Sequence, residues 1–255
     1  MKVSEIFAFL TKKYDPSLGE TWDKNGLFYN HDDEVSGVYL ALELTSKVLK
    51  EAKLLNANLI ITHHPLFTKE DQTEEHQFWI NEKLINEVKE NKIALIHLHT
   101  AFDKAADGMN VQMAKMLELI NIKQDPNNLF VVTAETKVEV SLEYWCRYLK
   151  QKFMSPMITY TDNFKLKRTQ KFAIVAGSGV DFADYVFTNH DVDVFITADL
   201  KYHDWIDAIE KGYNIVDMHH ASEFVFVNVI EKLLSKQFPK LELHKTLLSI
   251  DFKYF

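Results

Sequence analysis

Ile60-Ile61-Thr62-His63-His64-Pro65 is an apolar run that ends in two adjacent histidines and is then cut off by proline. The β-branched stretch Leu59–Thr62 reads as a buried strand, a rigid support for whatever follows it. Successive strand residues face opposite sides, so both imidazoles can serve one site only where the strand stops and the backbone turns. Pro65 supplies that stop: it fixes its own φ, donates no ladder hydrogen bond and biases His64 toward extended backbone. Neutral imidazole is the commonest metal ligand, although a His-His pair taken alone reads equally well as two hydrogen-bonded structural histidines.

Two more apolar runs end in the same kind of residue. Residues 93–98 lead into His99-Thr100-Ala101-Phe102-Asp103, and residues 214–218 lead into His219-His220-Ala221-Ser222-Glu223. In an α/β chain the carboxyl ends of parallel strands line one edge where ligands bind, so ends far apart in sequence are expected to converge. The pooled donors are His63, His64, Asp103, His219 and Glu223. A catalytic zinc usually takes about three protein ligands plus water, so this set implies two ions. Carboxylates can bridge ions roughly 3.5 to 4 Å apart, the spacing of two-metal hydrolysis, and Glu223 and Asp103 are the candidate bridges. His219 and Glu223, at i and i+4, share a face if the chain is helical from Ala221 onward, which would turn His220 away into a supporting role.

The rest of the chain alternates short apolar runs with amphipathic segments, the pattern of βα units. Residues 38–42 read as a strand, followed by a helix from the N-cap Thr45 to about Leu55 with Val48, Leu49, Ala52 and Leu55 at helical spacing. Helices are expected over 79–90 and 110–119. The turn-rich Gln124-Asp125-Pro126-Asn127-Asn128 is the expected boundary between two lobes, about 1–125 and 126–255. Strands follow at 129–134, 172–176 and 192–197, a long helix at 221–234, and 241–252 closes a sheet. Gly177-Ser178-Gly179 holds two of only seven glycines in the chain. It matches neither the Walker loop nor the dinucleotide fingerprint, and reads as a tight β-to-α turn or a phosphate-cradling loop.

Composition narrows the class. At 255 residues and 47% hydrophobic, the chain suffices for one or two cores at roughly 150 residues per domain. No apolar stretch approaches the roughly 20 residues of a membrane span, and Met1-Lys2-Val3-Ser4-Glu5 is no signal-peptide start, so a cytoplasmic location without membrane partners is expected. The single Cys146 suits a reducing compartment and, within the amphipathic helix 142–149, reads as a packed thiol. A net charge of −8 argues against nucleic acid as a partner. The densest basic run, Lys165-Leu166-Lys167-Arg168 with Lys171, reads as a solvated loop or a local electrostatic guide for an anion.

Beside the donors, His99 ends the strand that delivers Asp103, and Asp199 and His203 lie four apart after another strand. These three are the candidates for acid/base work or for supporting the ligands in the same cleft. His31, His76, His97, His190 and His244 carry no motif and read as surface or core histidines.

The motifs Thr21-Trp22-Asp23 with Gly26-Leu27, Ile61-Thr62-His63-His64-Pro65-Leu66 and His99-Thr100-Ala101-Phe102-Asp103 recur in a known order. Ile196-Thr197-Ala198-Asp199 with Tyr202-His203, and His219-His220-Ala221-Ser222-Glu223, complete it. In these the chain resembles the NIF3 family (DUF34, GTP cyclohydrolase 1 type 2 homologues). The resemblance implies a single α/β domain of the NIF3-like fold, two lobes with mixed sheets flanked by helices, and a dinuclear metal site in the cleft. It places metal ligands at His63, His64, Asp103, His219 and Glu223, and it implies a toroidal homohexamer without the mid-chain domain inserted in some relatives. Met218 and Ala198 stand where the family usually has glycine, and neither position supplies a ligand side chain.

The implied activity is hydrolysis of a nucleotide or related small molecule through water activated by two divalent ions (Zn, Fe, Mn, Co or Ni). Better-characterised cyclohydrolases use a cysteine-ligated zinc that Cys146 is not placed to supply. A non-catalytic metal-binding carrier or regulatory assembly is the alternative.

Overall fold

The structure is a computed structural model and describes residues 1–31, 33–161 and 168–247. It is a mixed α/β protein that divides into two compact units, Met1–Ala105 with 226–247, and Ala106–Val225. In chain order the first unit contains α1 (Val3–Lys13), β1 (Gly26–Tyr29), β2 (Val38–Ala41), α2 (Ser46–Leu54), β3 (Leu59–Thr62), α3 (Glu82–Glu90), β4 (Ala94–His97) and α4 (Thr100–Lys104). The second contains α5 (Met109–Met116), β5 (Ile120–Gln124), β6 (Val132–Val140), α6 (Leu142–Lys152), β7 (Thr159–Tyr160), β8 (Thr169–Ile174), α7 (Ala183–Asn189), β9 (Val194–Thr197), α8 (Tyr202–Lys211) and β10 (Ile215–Asp217). A 3-10 turn, His220–Phe224, leads into α9 (Val225–Gln237), and α9 and β11 (Leu243–Lys245) return to the first unit.

The first unit's sheet has the order β1-β4-β3-β2-β11. β11, β2, β3 and β4 run parallel and β1 is antiparallel to β4. The four residues of each of β2, β3 and β4 are all buried, which is why those runs are continuous rather than alternating: helices cover parallel strands on both faces. Tyr39, Ala41, Ile60 and Leu95 form one core with Val48, Leu49 and Ala52 of α2 and Leu84, Ile85 and Val88 of α3. Thr45 caps α2 as expected, its side chain accepting from the Val48 amide, but Leu55 lies past the helix end and is exposed.

The second unit's sheet has the order β5-β6-β8-β9-β10-β7, with β8, β9 and β10 parallel and the outer pairings antiparallel. Ala173, Phe195 and Ile215 pack there against Ala183 and Val186 of α7 and Ala208 of α8. Cys146 is a buried thiol on α6, and burial pushes its pKa up to about 12.

Several expectations shift. The turn at 124–128 is not a boundary: it joins β5 to β6, an antiparallel pair inside one sheet, and the division falls at Ala105 and again at Val225. Turn chemistry is the same whether a turn links two units or two strands of a hairpin. The helix expected from 79 starts at Glu82, because the Asn81 side chain accepts from the Leu84 amide and fixes the N-terminus there. The expected strand 241–252 is β11 over Leu243–Lys245; its residues 248–252, and Lys165-Leu166-Lys167 of the basic run, lie outside the described residues. Arg168 and Lys171 pair with Glu139 and Asp191. Among the described residues no helix is long and apolar enough to cross a membrane.

Candidate functional site

In the first unit, β3 stops at Thr62 because the next two amides leave the ladder: His63 N–H and His64 N–H both donate to the Leu42 carbonyl, at 3.0 and 2.9 Å. His97 holds this turn from the neighbouring strand. Leu66 N–H donates to its Nε2 at 3.2 Å, which assigns the ring proton to Nδ1; Nδ1 donates to Thr62 Oγ1 at 2.7 Å, and that hydroxyl donates to the His64 carbonyl at 2.8 Å. Burial, outweighing the attraction of Asp23, pushes the pKa of His97 down to about 3, so the ring stays neutral and the chain of hydrogen bonds keeps its direction. Of the surface and core readings open to a histidine without a motif, His97 takes the core one, and the sequence carried no sign of what it braces.

His63 is wholly buried and donates Nδ1–H to the Leu98 carbonyl at 2.8 Å. Nε2 is therefore its electron-pair atom, 3.6 Å from Asp103 Oδ1, with the two side chains 0% and 12% exposed. Two electron-pair atoms facing each other in so dry a place call for a proton or a metal cation between them, so these residues fit a bound ion. The His64 ring lies 5.0 Å from that of His63, and its Nδ1 is 4.0 Å from Glu43.

His99 joins this group. Its Nδ1 donates to Asp23 Oδ1 at 2.8 Å, while its backbone amide donates to Asn25 Oδ1 at 2.8 Å. Asp23 also accepts from the Thr100 amide and hydroxyl and from the Asn25 carboxamide. Burial alone would raise the pKa of Asp23, but the hydrogen bond from His99 and its charge whenever the ring is protonated, with the hydrogen bonds from Thr100, hold it well below the usual carboxylate range. The ligand atoms of His63, His64 and His99 all lie within 4.8 Å of one another. Asp23, Asn25 and Thr100 had no assigned role in the sequence reading; Asp23 and Thr100 stood only inside motifs of the family pattern.

In the second unit, β10 ends at Asp217 and the chain turns through His219 with φ of +67°. Asp217 accepts from the His219 amide at 2.7 Å and from the Leu200 amide at 3.0 Å, while burial raises its pKa. The Ala221 amide donates to His219 Nδ1 at 3.1 Å, which assigns the neutral ring's proton to Nε2 in the ion-free ring; to serve as a ligand through Nε2 the ring must give up this contact and move its proton to Nδ1. Burial lowers the pKa of His219 against the pull of Asp217 and Asp199.

The segment after His219 is 3-10, not α-helical, and this corrects the expected geometry. With three residues per turn, His220 rather than His219 stacks over Glu223, and its Nε2 lies 2.9 Å from Glu223 Oε2. The other ring nitrogen of His220 bonds Asp199. Burial would lower the pKa of His220, but Glu223 and Asp199 together raise it to about 11, so it is an imidazolium between two carboxylates.

Glu223 is buried, and the Gly-Ser-Gly turn makes room for it. A Cβ on Gly177, where φ is +61°, would stand 2.6 Å from Glu223 Oε1, and one on Gly179 would meet Val175 and Thr197. The Thr197 hydroxyl donates to the Gly177 carbonyl at 3.0 Å and accepts from the Gly179 amide at 3.0 Å, so the loop is a tight β-to-α turn in which that carbonyl and that amide are spent on the neighbouring strand. Ala198 and Met218 are accommodated because the left-handed residues are the ones after them, Asp199 and His219. His203 is exposed on α8, edge-on to Tyr202, and is not drawn into contact with Asp199 as the four-residue spacing suggested: Asp199 precedes the helix in a left-handed turn.

The expected strand ends thus carry the donors, distributed over two sheets. β3 and β4 deliver His63, His64, His99 and Asp103 in the first unit; β9 and β10 deliver Asp199, His219, His220 and Glu223 in the second.

A mixed-sheet α/β protein whose parallel strands end in imidazoles and carboxylates has the makings of a metal-binding protein. The chain belongs to the Duf34/NIF3 (NGG1p interacting factor 3) family, whose profile matches residues 1–252. It is 48% identical over 256 residues to a GTP cyclohydrolase 1 type 2 homolog of Ureaplasma parvum serovar 3, covering 100% of this chain and 98% of that one. A protein of the same name from Campylobacter jejuni is 32% identical over 262 residues, with 100% of both chains covered. The crystal structure of a hypothetical protein of Staphylococcus aureus superposes with a TM-score of 0.87 at 26% identity, covering 100% of this chain and 99% of that one.

Proposed function

We propose that the protein is a dinuclear metal-dependent hydrolase acting on a nucleotide or related small molecule, with His63, His64, Asp103, His219 and Glu223 as its metal ligands. The observation that carries this reading is the buried pair of electron-pair atoms, His63 Nε2 and Asp103 Oδ1, 3.6 Å apart. Divalent ions bound by these residues would polarise the electrophile and lower the pKa of water toward neutrality. The chain's own residues do the rest: the Leu98 carbonyl orients His63, the His97 chain fixes the turn that presents His64, and Gly177 leaves space for Glu223. A nucleotide substrate is supported by the name shared by the relatives, and cations at the site would offset the phosphate charge that a chain of net charge −8 otherwise repels. We place it in the cytoplasm as a homohexamer, an assembly to be checked by light scattering.

One observation favours a carrier with little turnover. His220 Nε2 lies 2.9 Å from Glu223 Oε2, so an ion taken up by Glu223 has to compete with a resident partner and is held the less tightly for it. Elemental analysis of protein purified without chelator or nickel, beside Glu223→Ala, tests metal binding. The hydrolase reading expects about two ions per chain, fewer in the variant. A nucleotide screen with each metal then separates the two readings: saturable turnover lost in His219→Ala supports the hydrolase, and its absence with rapid ion release to a chelator supports the carrier. A ratio near zero that added Zn, Fe or Mn does not raise overturns both.

A further inference from the structure

We propose that His99 is itself a metal ligand, so that His63, His64 and His99 form a three-imidazole ion site contained in the first unit, with Asp23 as the residue that positions it. The inference deepens the reading above and rests on its premise that His63 binds a divalent ion.

Three observations carry it. The ligand atoms of the three rings lie within 4.8 Å of one another, and tetrahedral zinc with Zn–N bonds of about 2.1 Å needs its nitrogens at about 3.4 Å, a closure within reach of small ring rotations. Two of the rings are held by the outer-atom arrangement that metal-bound histidines use: Nδ1–H donates to the Leu98 carbonyl in His63 and to Asp23 in His99, and in each ring this makes Nε2 the electron-pair atom. Asp23 is in turn immobilised, its carboxylate fully buried and hydrogen-bonded to Asn25 and Thr100 as well.

A purely structural His99 would not need this apparatus. It occupies the N-cap position of α4, yet its side chain makes no capping bond, and the backbone amide already ties the strand end to Asn25. The buried carboxylate is spent on aiming the ring. Three neutral imidazoles leave the ion its full double charge, with Asp103 Oδ1, 3.6 Å from His63 Nε2, as an anionic neighbour, a set that suits zinc, iron or cobalt. Such a site does not depend on Glu223 or His219.

The test uses the full-length Glu223→Ala chain, in which the proposed bridge is gone. One zinc ion per chain should remain, measured by competition with a chromophoric chelator. Adding His99→Ala should weaken that ion by a hundredfold or more, and adding Asp23→Asn by about 10- to 100-fold. Pulsed electron paramagnetic resonance of the same chain loaded with one equivalent of Cu2+ should count three imidazole nitrogens; this count keeps His99 in place, so it does not depend on that variant folding. Two nitrogens, or unchanged zinc affinity on His99→Ala while His63→Ala abolishes binding, would overturn the proposal and leave the dinuclear reading standing. Zinc affinity unchanged by His63→Ala would overturn the dinuclear reading itself.

Discussion

His97 and His220 respond to pH with opposite signs, because for His97 burial outweighs the attraction of Asp23, whereas His220 lies between two carboxylates whose attraction outweighs burial. An unfolded histidine takes up its proton near pH 6.5, whereas folded His97 does so only near pH 3, so its contribution to stability is complete above pH 6.5 and is lost as the pH falls. Folded His220 holds its proton to about pH 11, so its contribution is complete below 6.5 and declines as the pH rises. Metal-free protein should therefore melt highest near pH 6.5. His97→Gln should flatten the acid limb between pH 7 and 5 at a lower overall Tm, and His220→Gln the alkaline limb between pH 7 and 9, both read by circular dichroism. An acid limb as steep in His97→Gln as in the parent would show that the protons taken up there belong to other groups.

At the scale of elements, strand ends were legible in the sequence and their surroundings were not. A β-branched run that stops at His or Asp advertises both the strand and its chemistry, and β3, β4 and β10 each end close to the expected residue. The role of Asp23 was hidden because its partner His99 is 76 residues away, and local pattern carries no information about a contact at that range. The 3-10 turn at His220–Phe224 was hidden for another reason: an i, i+4 donor pair and an i, i+3 pair are both present, and only the backbone decides which one meets. Caps were legible one by one. Thr45→Ala should cost about 1 kcal/mol through the lost bond to the Val48 amide, lowering Tm by about 2–4 °C, measured by calorimetry.

On the scale of the whole molecule, the fold class and the family follow from motifs spread over nearly the full chain, while the division into units does not. The chain leaves its first unit at Ala105, where the short turn Ala106-Asp107-Gly108 between two helices looks no different from a turn within a unit, and returns to it at the start of α9, where no turn or linker marks the change. Metal should stabilise the assembled molecule by mass action. With free zinc at about 100 times its Kd, ΔG of unfolding rises by about 2.7 kcal/mol, a Tm increase of several degrees that a chelator reverses. Equal melting with and without zinc would mean that the unfolded chain binds it as well as the folded one does.

The contact between Gly177 and Glu223 sets an order on the changes this chain can accept. A methyl at position 177 collides with the Glu223 carboxylate, so Gly177→Ala made first should displace that side chain and cost zinc stoichiometry as well as stability, by elemental analysis and melting. Made after Glu223→Asp, which withdraws the carboxylate by one methylene, the same substitution meets only the left-handed backbone penalty of about 1–2 kcal/mol. The two positions are coupled: with the long acid at 223 any side chain at 177 must push that carboxylate aside, and in a mutational library of the pair changes at 177 should be enriched among chains already shortened at 223.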